Sequence, residues 1–387
     1  MNLAGEVSFS GVGLIPSEGV TSNMRLHLEA AVAALADAGI RKDDVDGVIA
    51  GDAGGYSPRV HIEIAECLGI YPRVACNLPA GGGSTLPMGI AAARWALLSG
   101  TCTNVLVVGA RTAADPHAAN QPPVPIEHKQ DRFYGADCFT HFGAVAQRHM
   151  YEHGTTSEQL ASVAVAARAH ARLEPSAHLD PLTVEDVLAS PLVATPLHQL
   201  DFAISPDGGA AVVLTTRERA LDSPAPVSLL GYGHAVGMYP LFERALAQVR
   251  GRSTLGLTRT VFRHAARDAF EEADASPDDV TFAQLHDPCT VMTIVQLEDL
   301  GFCEPGAGGW FVTDHGISLE RGLPVNTHGG ALGAGDTPQG LGHIIEGVRQ
   351  VRGSCGDRQV RGSSRGVFTA ASHGLSSVCV GILGPQE

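Results

Sequence analysis

Two short stretches in the second half of the chain carry side chains suited to acid–base chemistry. They are residues 286–290 (HDPCT) and residues 326–330 (NTHGG). A histidine titrates near neutral pH and can donate a hydrogen bond, so His286 and His328 are candidates for proton transfer or for binding an anionic oxygen. The two glycines after His328 predict a turn that brings backbone close to a ligand. For His286, a structural histidine with satisfied hydrogen bonds is the alternative.

Asp336, Tyr239 and Ser84 are further candidates outside these stretches. A desolvated Asp336 carboxylate can act as a general base, and a solvated turn aspartate that caps the following helix is the alternative. Tyr239 lies in a turn before the second half and is a candidate acid or base, although a packed loop tyrosine is the more ordinary explanation. Ser84 could act as an alkoxide nucleophile, but no residue in the sequence is marked as its activating base.

The composition excludes several classes of protein. Among 387 residues, 41 are acidic and 26 are basic, which gives a net charge of −15, and no Lys/Arg-rich run stands out. Nucleic acid and anionic membranes are therefore not expected as partners. No apolar run reaches the roughly 18 residues of a membrane span and no signal peptide is recognised, so we expect a cytoplasmic protein. The eight cysteines lack the spacing of a zinc site, which suggests buried thiols and no metal.

The elements that must position these residues occur twice along the chain. In the first half, an amphipathic helix begins at Ser22 and stops at Gly39, and a turn then leads into a short strand. About 235 residues later, a helical pattern over Ser253–Ala273 precedes the same turn and strand, so that His286 corresponds to Gly51. His286 is thereby placed at a strand end, where active-site groups gather in open sheets.

Apolar strands alternate with helices in both halves. Thr103–Gly109 is one such strand, and the alternation predicts a parallel-rich sheet covered by helices on both faces, an α/β fold. We expect a first half over residues 1–222, with an insertion at about 112–200, and a second half over residues 223–387. The insertion carries two helices, the second capped at Thr156 or Ser157.

Several motifs resemble the thiolase superfamily, and within it the branch of sterol-carrier and lipid-transfer proteins. Residues 324–330 resemble its PVN-T-GG segment, residues 286–289 its His-Asp-Cys-Phe motif, and residues 201–214 its D-GAAAVVL strand. The resemblance covers nearly the whole chain and implies a thiolase-like, duplicated fold of five αβαβα layers. It also implies an insertion over the active-site mouth and a homodimer, with strands such as residues 103–109 near the paired sheet edge.

The family's usual catalytic groups are missing. Its nucleophilic cysteine at a helix N-terminus is replaced by residues 82–85 (GGST), and Cys76 lies too far upstream. Its Gly-His-Pro histidine is replaced within residues 335–338 (GDTP), so we expect covalent acyl chemistry to be lost. The resemblance implies that His286 helps to bind a thioester oxygen and that Cys289, displaced by one residue, transfers protons. The residues that it places against substrate are Ser84, Asn326, Gly329, Gly330 and His373.

One branch of this superfamily has lost both groups and performs retro-aldol cleavage. These steroid side-chain aldolases of actinobacteria work with a small zinc-ribbon/OB-fold partner protein, and residues 296–303 (QLEDLGFC) and 346–353 (EGVRQVRG) resemble them. The tyrosines expected at His286 and Asp336 are absent. The first hypothesis is therefore a lyase that cleaves a β-hydroxyacyl-CoA, with coenzyme A only as part of the substrate. An acyl transferase of the acetyl-CoA acetyltransferase type and a non-catalytic acyl-CoA-binding subunit are the alternatives.

Overall fold

The computed structural model describes most of the chain. The described residues are 3–16, 22–52, 57–78, 85–112, 138–174, 179–203, 207–237, 245, 247–333, 340–372 and 377–386. Four of the predicted site residues lie outside these ranges, namely Ser84, Tyr239, Asp336 and His373.

A nine-stranded mixed sheet forms the centre of the fold. In chain order its strands are β1 (Val7–Pro16), β2 (Gly47–Asp52), β3 (Val74–Leu78), β4 (Asn104–Arg111), β7 (Gly208–Thr216), β8 (Val227–Val236), β9 (Phe282–Gln284), β12 (Gly366–Ala371) and β13 (Ser377–Pro385). Two short hairpins pair β5 (Leu192–Ala194) with β6 (Leu197–His198) and β10 (Ile317–Ser318) with β11 (Arg321–Gly322).

The order of the strands mirrors the repeat seen in the sequence. From edge to edge it is β3-β2-β4-β7-β1-β8-β13-β12-β9, and the two halves join where β1 pairs with β8. The parallel pair of β2 with β4 has its counterpart in the parallel pair of β9 with β12. Beyond β9, a parallel bridge from Ala283 to Val325 takes the place of β3. The candidate segment at residues 326–330 therefore follows the second half's outermost extended segment.

Helices cover both faces of this sheet and fill the space between its halves. They are α1 (Asn23–Ala38), α2 (Val60–Leu68), α3 (Thr85–Leu98), α4 (Cys138–His153), α5 (Ser157–Ala171), α6 (Val184–Ala189), α7 (Arg217–Ala220), α8 (Phe262–Glu272), α9 (Thr290–Asp299), α10 (Gly308–Trp310), α11 (Gly330–Gly333) and α12 (Leu341–Arg352). None of the helices in the described ranges is long and apolar enough to cross a membrane.

Three apolar cores define the layers. Between the sheet halves, Ile90 of α3 and Ile344 of α12 share one core with strand residues of both halves, including Phe9 and Phe368. A second core packs α1 and α2 on the outer face of the first half. A third packs α8 and α9 on the outer face of the second half. This arrangement is the αβαβα stack, so the predicted five-layered fold is confirmed.

Local sequence signals set the ends of the first helix. The Ser22 hydroxyl accepts the Arg25 backbone N–H at 3.4 Å, and Gly39 ends α1 with φ 68°. A left-handed C-cap favours glycine because it has no Cβ to clash. Both predicted ends of this helix are confirmed.

The predicted helix over Ser253–Ala273 is wrong in its first part. The structure begins α8 at Phe262, after a non-helical stretch that ends at Thr260. The Thr260 backbone N–H and hydroxyl both donate to the carboxylate of Asp299 at 2.8 Å. The Thr260 hydroxyl in turn accepts the Phe262 N–H at 3.1 Å, which fixes the start of the helix. A contact from the end of α9 therefore decides where α8 begins.

The insertion packs against the second half. Its second helix, α5, is capped by Thr156, one of the two predicted caps, whose hydroxyl accepts the Gln159 N–H at 3.3 Å. Leu160 and Ala167 of α5 belong to the same core as Met292 of α9. The insertion therefore forms one wall around the segment that follows Val325.

The expected edge strand also needs correction. The strand predicted at Thr103–Gly109 is β4, which lies between β2 and β7 with ladders on both sides. The outermost strand of the first half is β3. The division into halves at residues 222 and 223 stays a prediction, and it falls between α7 and β8.

Candidate functional site

His286 lies two residues beyond the end of β9, as the repeat predicted. Its backbone N–H donates to the Thr369 hydroxyl at 2.9 Å, and its carbonyl accepts from the Gln296 side chain at 2.6 Å. The Thr369 hydroxyl also donates to the Gln296 amide oxygen at 2.6 Å. Two buried side chains, Thr369 of β12 and Gln296 of α9, thus lock the backbone that carries the imidazole.

Asn326 ties the two candidate stretches together. Its side-chain oxygen accepts the Leu285 N–H at 2.6 Å, and its side-chain amide donates to the Leu285 carbonyl at 2.9 Å. The residue has a φ of 52°, a left-handed conformation that asparagine tolerates better than most residues. These contacts give Asn326 a structural role, so its predicted contact with substrate stays a prediction.

Asp287 is a fully buried carboxylate at the centre of the region. Its Oδ1 accepts the Ala331 N–H and its Oδ2 accepts the Leu332 N–H, at 2.9 and 3.1 Å, in the first turn of α11. Its third partner is Nε2 of His343, 2.9 Å from Oδ1. The carboxylate therefore connects the β9–α9 loop to both α11 and α12.

The two glycines after His328 serve this packing. A Cβ at Gly330 would lie closer to the Asp287 carboxylate than van der Waals contact permits, and a Cβ at Gly329 would collide with Ala171 of α5. Both residues also have positive φ, 59° and 99°. Among the described residues, the backbone at these two glycines thus lies close to Asp287 and to α5. The expected approach of this turn to a ligand stays a prediction.

His328 is neutral at physiological pH. Burial, and next the charge of His343, lower the pKa of His328 to about 4, although part of its side chain remains accessible. Its ring lies 5.1 Å from the ring of His343, nearly perpendicular at 87°. A neutral imidazole of this pKa is a weak base but a competent hydrogen-bond donor.

His343 is one of the residues that the sequence prediction missed. It is 1% exposed, and its ring also meets that of His286, at 6.4 Å between centroids. One pattern could have revealed it, because His343, Glu346 and Gln350 form a polar stripe on the buried face of α12. The structure therefore brings His286, His328 and His343 into one cluster beside Asp287.

A second buried network supports the backbone just before His328. The Thr327 hydroxyl donates to Glu346 at 2.8 Å and accepts from Gln350 at 3.0 Å. Arg358 forms an ion pair with Glu346 at 3.4 Å. Burial alone would raise the pKa of Glu346, but interactions with His328 in its protonated form and with the Arg358 guanidinium lower it overall. Glu346 therefore stays ionised near the cluster.

The insertion also holds this segment. His170 of α5 accepts the Leu319 N–H through Nε2 at 3.2 Å, which leaves Nδ1 as its donor. That Nδ1 lies 3.1 Å from the carbonyl of Val325 and 3.2 Å from that of Asn326. Sequence reasoning did not select His170, whose partners are about 150 residues away.

The two cysteines considered for the reaction, Cys289 and Cys76, are not suited to nucleophilic attack. Cys289 precedes α9 and is fully buried, and burial raises the pKa of its thiol well above the ordinary value. Cys76 lies in β3, and burial raises its pKa as well. A thiol with a raised pKa stays protonated at neutral pH and is a poor nucleophile. Within the described ranges, no cluster of His, Cys, Asp and Glu is arranged to hold a metal ion.

Comparison with known proteins identifies the family of this fold and site. The family model for the thiolase C-terminal domain-like family matches residues 248–385. An acetyl-CoA acetyltransferase of Methanothermobacter thermautotrophicus is 34% identical over 354 residues, which is 88% of each chain. The chain belongs to the thiolase superfamily.

Lyases of this superfamily are similar to this chain over a comparable share of its length. The 17-hydroxy-3-oxo-4-pregnene-20-carboxyl-CoA lyase of Mycobacterium tuberculosis is 30% identical over 369 residues, 91% of this chain and 93% of that one. A solved Ltp2–ChsH2(DUF35) aldolase superimposes with a TM-score of 0.85 and 29% identity, covering 100% of this chain and 99% of that chain. The predicted family is thus confirmed, and its related members are enzymes that include both an aldolase and an acetyltransferase.

Proposed function

We propose that the chain is a carbon–carbon lyase that cleaves a β-hydroxyacyl-CoA by a retro-aldol reaction. The observation that carries the proposal is the cluster of His286, His328 and His343 at the end of β9, together with the burial of Cys289, whose thiol stays protonated. Hydrogen-bond donors without an activated nucleophile suit a reaction whose leaving group is an enolate. The similarity to a CoA-thioester lyase over 91% of the chain supports the same reaction.

The chemistry requires one base and one oxyanion site. The base takes the proton of the β-hydroxyl, the carbonyl of the ketone product forms, and the bond between the α- and β-carbons breaks. The electron pair of that bond becomes the thioester enolate, which then takes a proton at the α-carbon. We assign the oxyanion site to His286 and His328, since a fixed donor stabilises the enolate oxygen more than the substrate carbonyl.

The neutral state of His328 fits the role of donor. With a pKa of about 4, it carries an N–H without a positive charge at pH 7. The predicted proton acceptors, Asp336 and Tyr239, lie outside the described residues and stay predictions. We leave Cys289 out of the reaction, because burial keeps its thiol protonated.

The substrate that we propose is a CoA thioester with a hydroxyl on a carbon of a steroid side chain or ring. The lyase relative acts on a 17-hydroxy steroid carboxyl-CoA, whose cleavage would give a 17-ketone and propionyl-CoA. We also propose a protein partner of the zinc-ribbon/OB-fold kind, because the similar solved aldolase is an Ltp2–ChsH2(DUF35) assembly.

The test is a product assay with two substrates. The purified chain, alone and after co-expression with a DUF35 protein such as ChsH2, is incubated with 3-hydroxy-3-methylbutyryl-CoA and with the 17-hydroxy steroid thioester. Mass spectrometry should detect the ketone and the shortened acyl-CoA in equal amounts without added coenzyme A. His286→Ala should lower the turnover number by roughly 10²–10³ with a smaller change in KM. His264→Ala, at an exposed site on α8, is the matched control.

Acyl transfer of the acetyltransferase type is the second candidate, because a relative with that activity is 34% identical. Such a reaction would need free coenzyme A or a second acyl-CoA and would leave an acylated enzyme. Thiolysis of a 3-ketoacyl-CoA with a trapped acyl-enzyme, in the absence of ketone release from a β-hydroxyacyl-CoA, would replace the lyase proposal. Binding of either thioester without any turnover, with all partners present, would instead support a non-catalytic subunit.

A further inference from the structure

The buried pair of Asp287 and His343 has a defined proton arrangement. Both oxygens of Asp287 already accept a backbone N–H, and an ionised carboxylate offers only acceptors. The proton in the third contact, 2.9 Å long, is therefore on Nε2 of His343. A second proton on this ring would go to Nδ1 and give an imidazolium, which the adjacent carboxylate stabilises.

His343 lies between the two histidines assigned to the oxyanion site. Its ring meets His328 edge to face at 5.1 Å and His286 at 6.4 Å. Because His343 is 1% exposed and is held by a carboxylate with no exposure, its ring has little freedom to turn. A ring that is fixed in this way restricts the orientations of the two rings that contact it.

The charges around His328 come from three elements. His343 and Glu346 lie on α12, Asp287 lies in the β9–α9 loop, and Arg358 lies in the turn after α12. His170 of α5 faces the backbone of the same segment. The positive neighbours His343 and Arg358 oppose protonation of His328, whereas Asp287 and Glu346 favour it. Asp287 and His343 therefore act on His328 with opposite signs.

We propose that Asp287 and His343 form a positioning pair for the active site. Asp287 orients His343, and His343 holds the rings of His286 and His328 and sets the charge on His328. The role in turnover rests on the proposed lyase function, whereas the control of His328 is a property of the folded chain. Neither residue needs to touch the substrate in this role.

The test is an NMR titration of the full-length chain labelled with ¹⁵N- and ¹³C-histidine. The His328 signal is assigned by its loss in His328→Gln. In His343→Gln, which retains a side-chain N–H donor for Asp287, the pKa of His328 should rise by about one unit, because a positive neighbour is gone. In Asp287→Asn, the pKa of His328 should not rise. His264→Gln, at the exposed site on α8, should leave it unchanged.

Two outcomes would overturn the proposal. One is a folded His343→Gln protein in which the pKa of His328 moves by less than about 0.3 units. The other is a rise of this pKa in both variants, which would indicate loosened packing. Variants that do not unfold cooperatively are not properly folded and are not used for this titration. In that case the ¹⁵N shifts of His343 in the unmodified chain provide the test, and an Nε2 without a proton would contradict the proposal.

The activity of the same variants gives a separate readout. His343→Gln should lower the turnover number on a β-hydroxyacyl-CoA by about 10- to 100-fold, with KM changed by less than about threefold, because ring orientation matters most in the transition state. An unchanged turnover number would contradict the catalytic part of the proposal. If the unmodified chain shows no lyase activity, the proposed function fails, and the titration still tests the positioning pair.

Discussion

At the scale of single residues, the site is a set of imidazoles whose properties are set by buried partners. His328 has a pKa of about 4 because of burial and its neighbour His343, and His343 takes its orientation from Asp287. The sequence indicated His286, because the repeat places it at a strand end, and His328, because two glycines follow it. It did not indicate His343, because the partner that gives this residue its role is 56 positions away.

The first residue-scale prediction concerns Cys289. Replacement by Ala should keep turnover within about threefold, and iodoacetamide should inhibit weakly, because burial keeps the thiol protonated and shielded. Cys76→Ala should behave in the same way, because partial burial raises the pKa of that thiol, and Cys67→Ala at an exposed position is the control. Steady-state kinetics of the three variants measure the effect. A loss of turnover of more than about a hundredfold in Cys289→Ala or Cys76→Ala would indicate that a thiol takes part in the mechanism.

The second residue-scale prediction compares two glycines with positive φ. Gly330→Ala should destabilise the chain by about 1–3 kcal/mol more than Gly100→Ala, because only the first Cβ meets other atoms, those of Asp287 and Asn326. Both substitutions share the left-handed backbone cost of about 1–2 kcal/mol. Urea unfolding of the two variants gives the difference. Equal stabilities would show that the turn relaxes around the added methyl group.

At the scale of elements, helix ends show what a sequence can and cannot predict. The ends of α1 follow from Ser22 and Gly39, which act on their own helix. The start of α8 does not, because Thr260 is held by Asp299 at the end of α9. In the same way, the 326–330 segment could be recognised as a turn, but its dependence on α5 requires His170 and Ala171. Local signals predict where elements form, whereas contacts between distant elements determine where some of them begin and what they pack against.

Asp299 should make stability depend on pH. Burial raises the pKa of Asp299 to about 7 in the folded chain, from an ordinary value of 3.8. The folded state therefore binds this proton more tightly, so stability falls as pH rises from about 4 to 7 and then levels off. Each pKa unit corresponds to about 1.4 kcal/mol, so the full effect is at most about 4 kcal/mol.

Asp299→Asn removes this titration and can still accept the bonds from Thr260. Thermal unfolding between pH 5 and pH 8 should fall less steeply for this variant than for the unmodified chain. Asp222→Asn, at an exposed position, should follow the unmodified curve. Parallel curves for Asp299→Asn and the unmodified chain would mean that Asp299 stays ionised throughout and that its neighbours compensate for its burial.

At the scale of the whole molecule, a mirrored sheet places the site in its second half. The second half supplies His286, His328 and His343, while the insertion of the first half supplies α5 as a wall. The duplicated fold could be predicted because turn and strand patterns recur along the chain. The edge of the sheet could not, because strand order is set by pairing between distant segments, which placed β4 inside and β3 outermost.

The last prediction is a homodimer that forms through β3. The outer side of this strand, Val74–Leu78, has no neighbouring strand in the described sheet, and an unpaired edge is a ready surface for a second copy. Light scattering at micromolar concentration should therefore give twice the mass of one chain. Ala75→Lys, at the exposed position of β3, should shift the mass toward the monomer, because a charge within a paired edge must be desolvated. Ala36→Lys, at an exposed position of α1 on the outer layer, should remain dimeric. A monomer for the unmodified chain, or a dimer that survives Ala75→Lys unchanged, would show that β3 is protected in another way and that two-fold pairing at this edge does not occur.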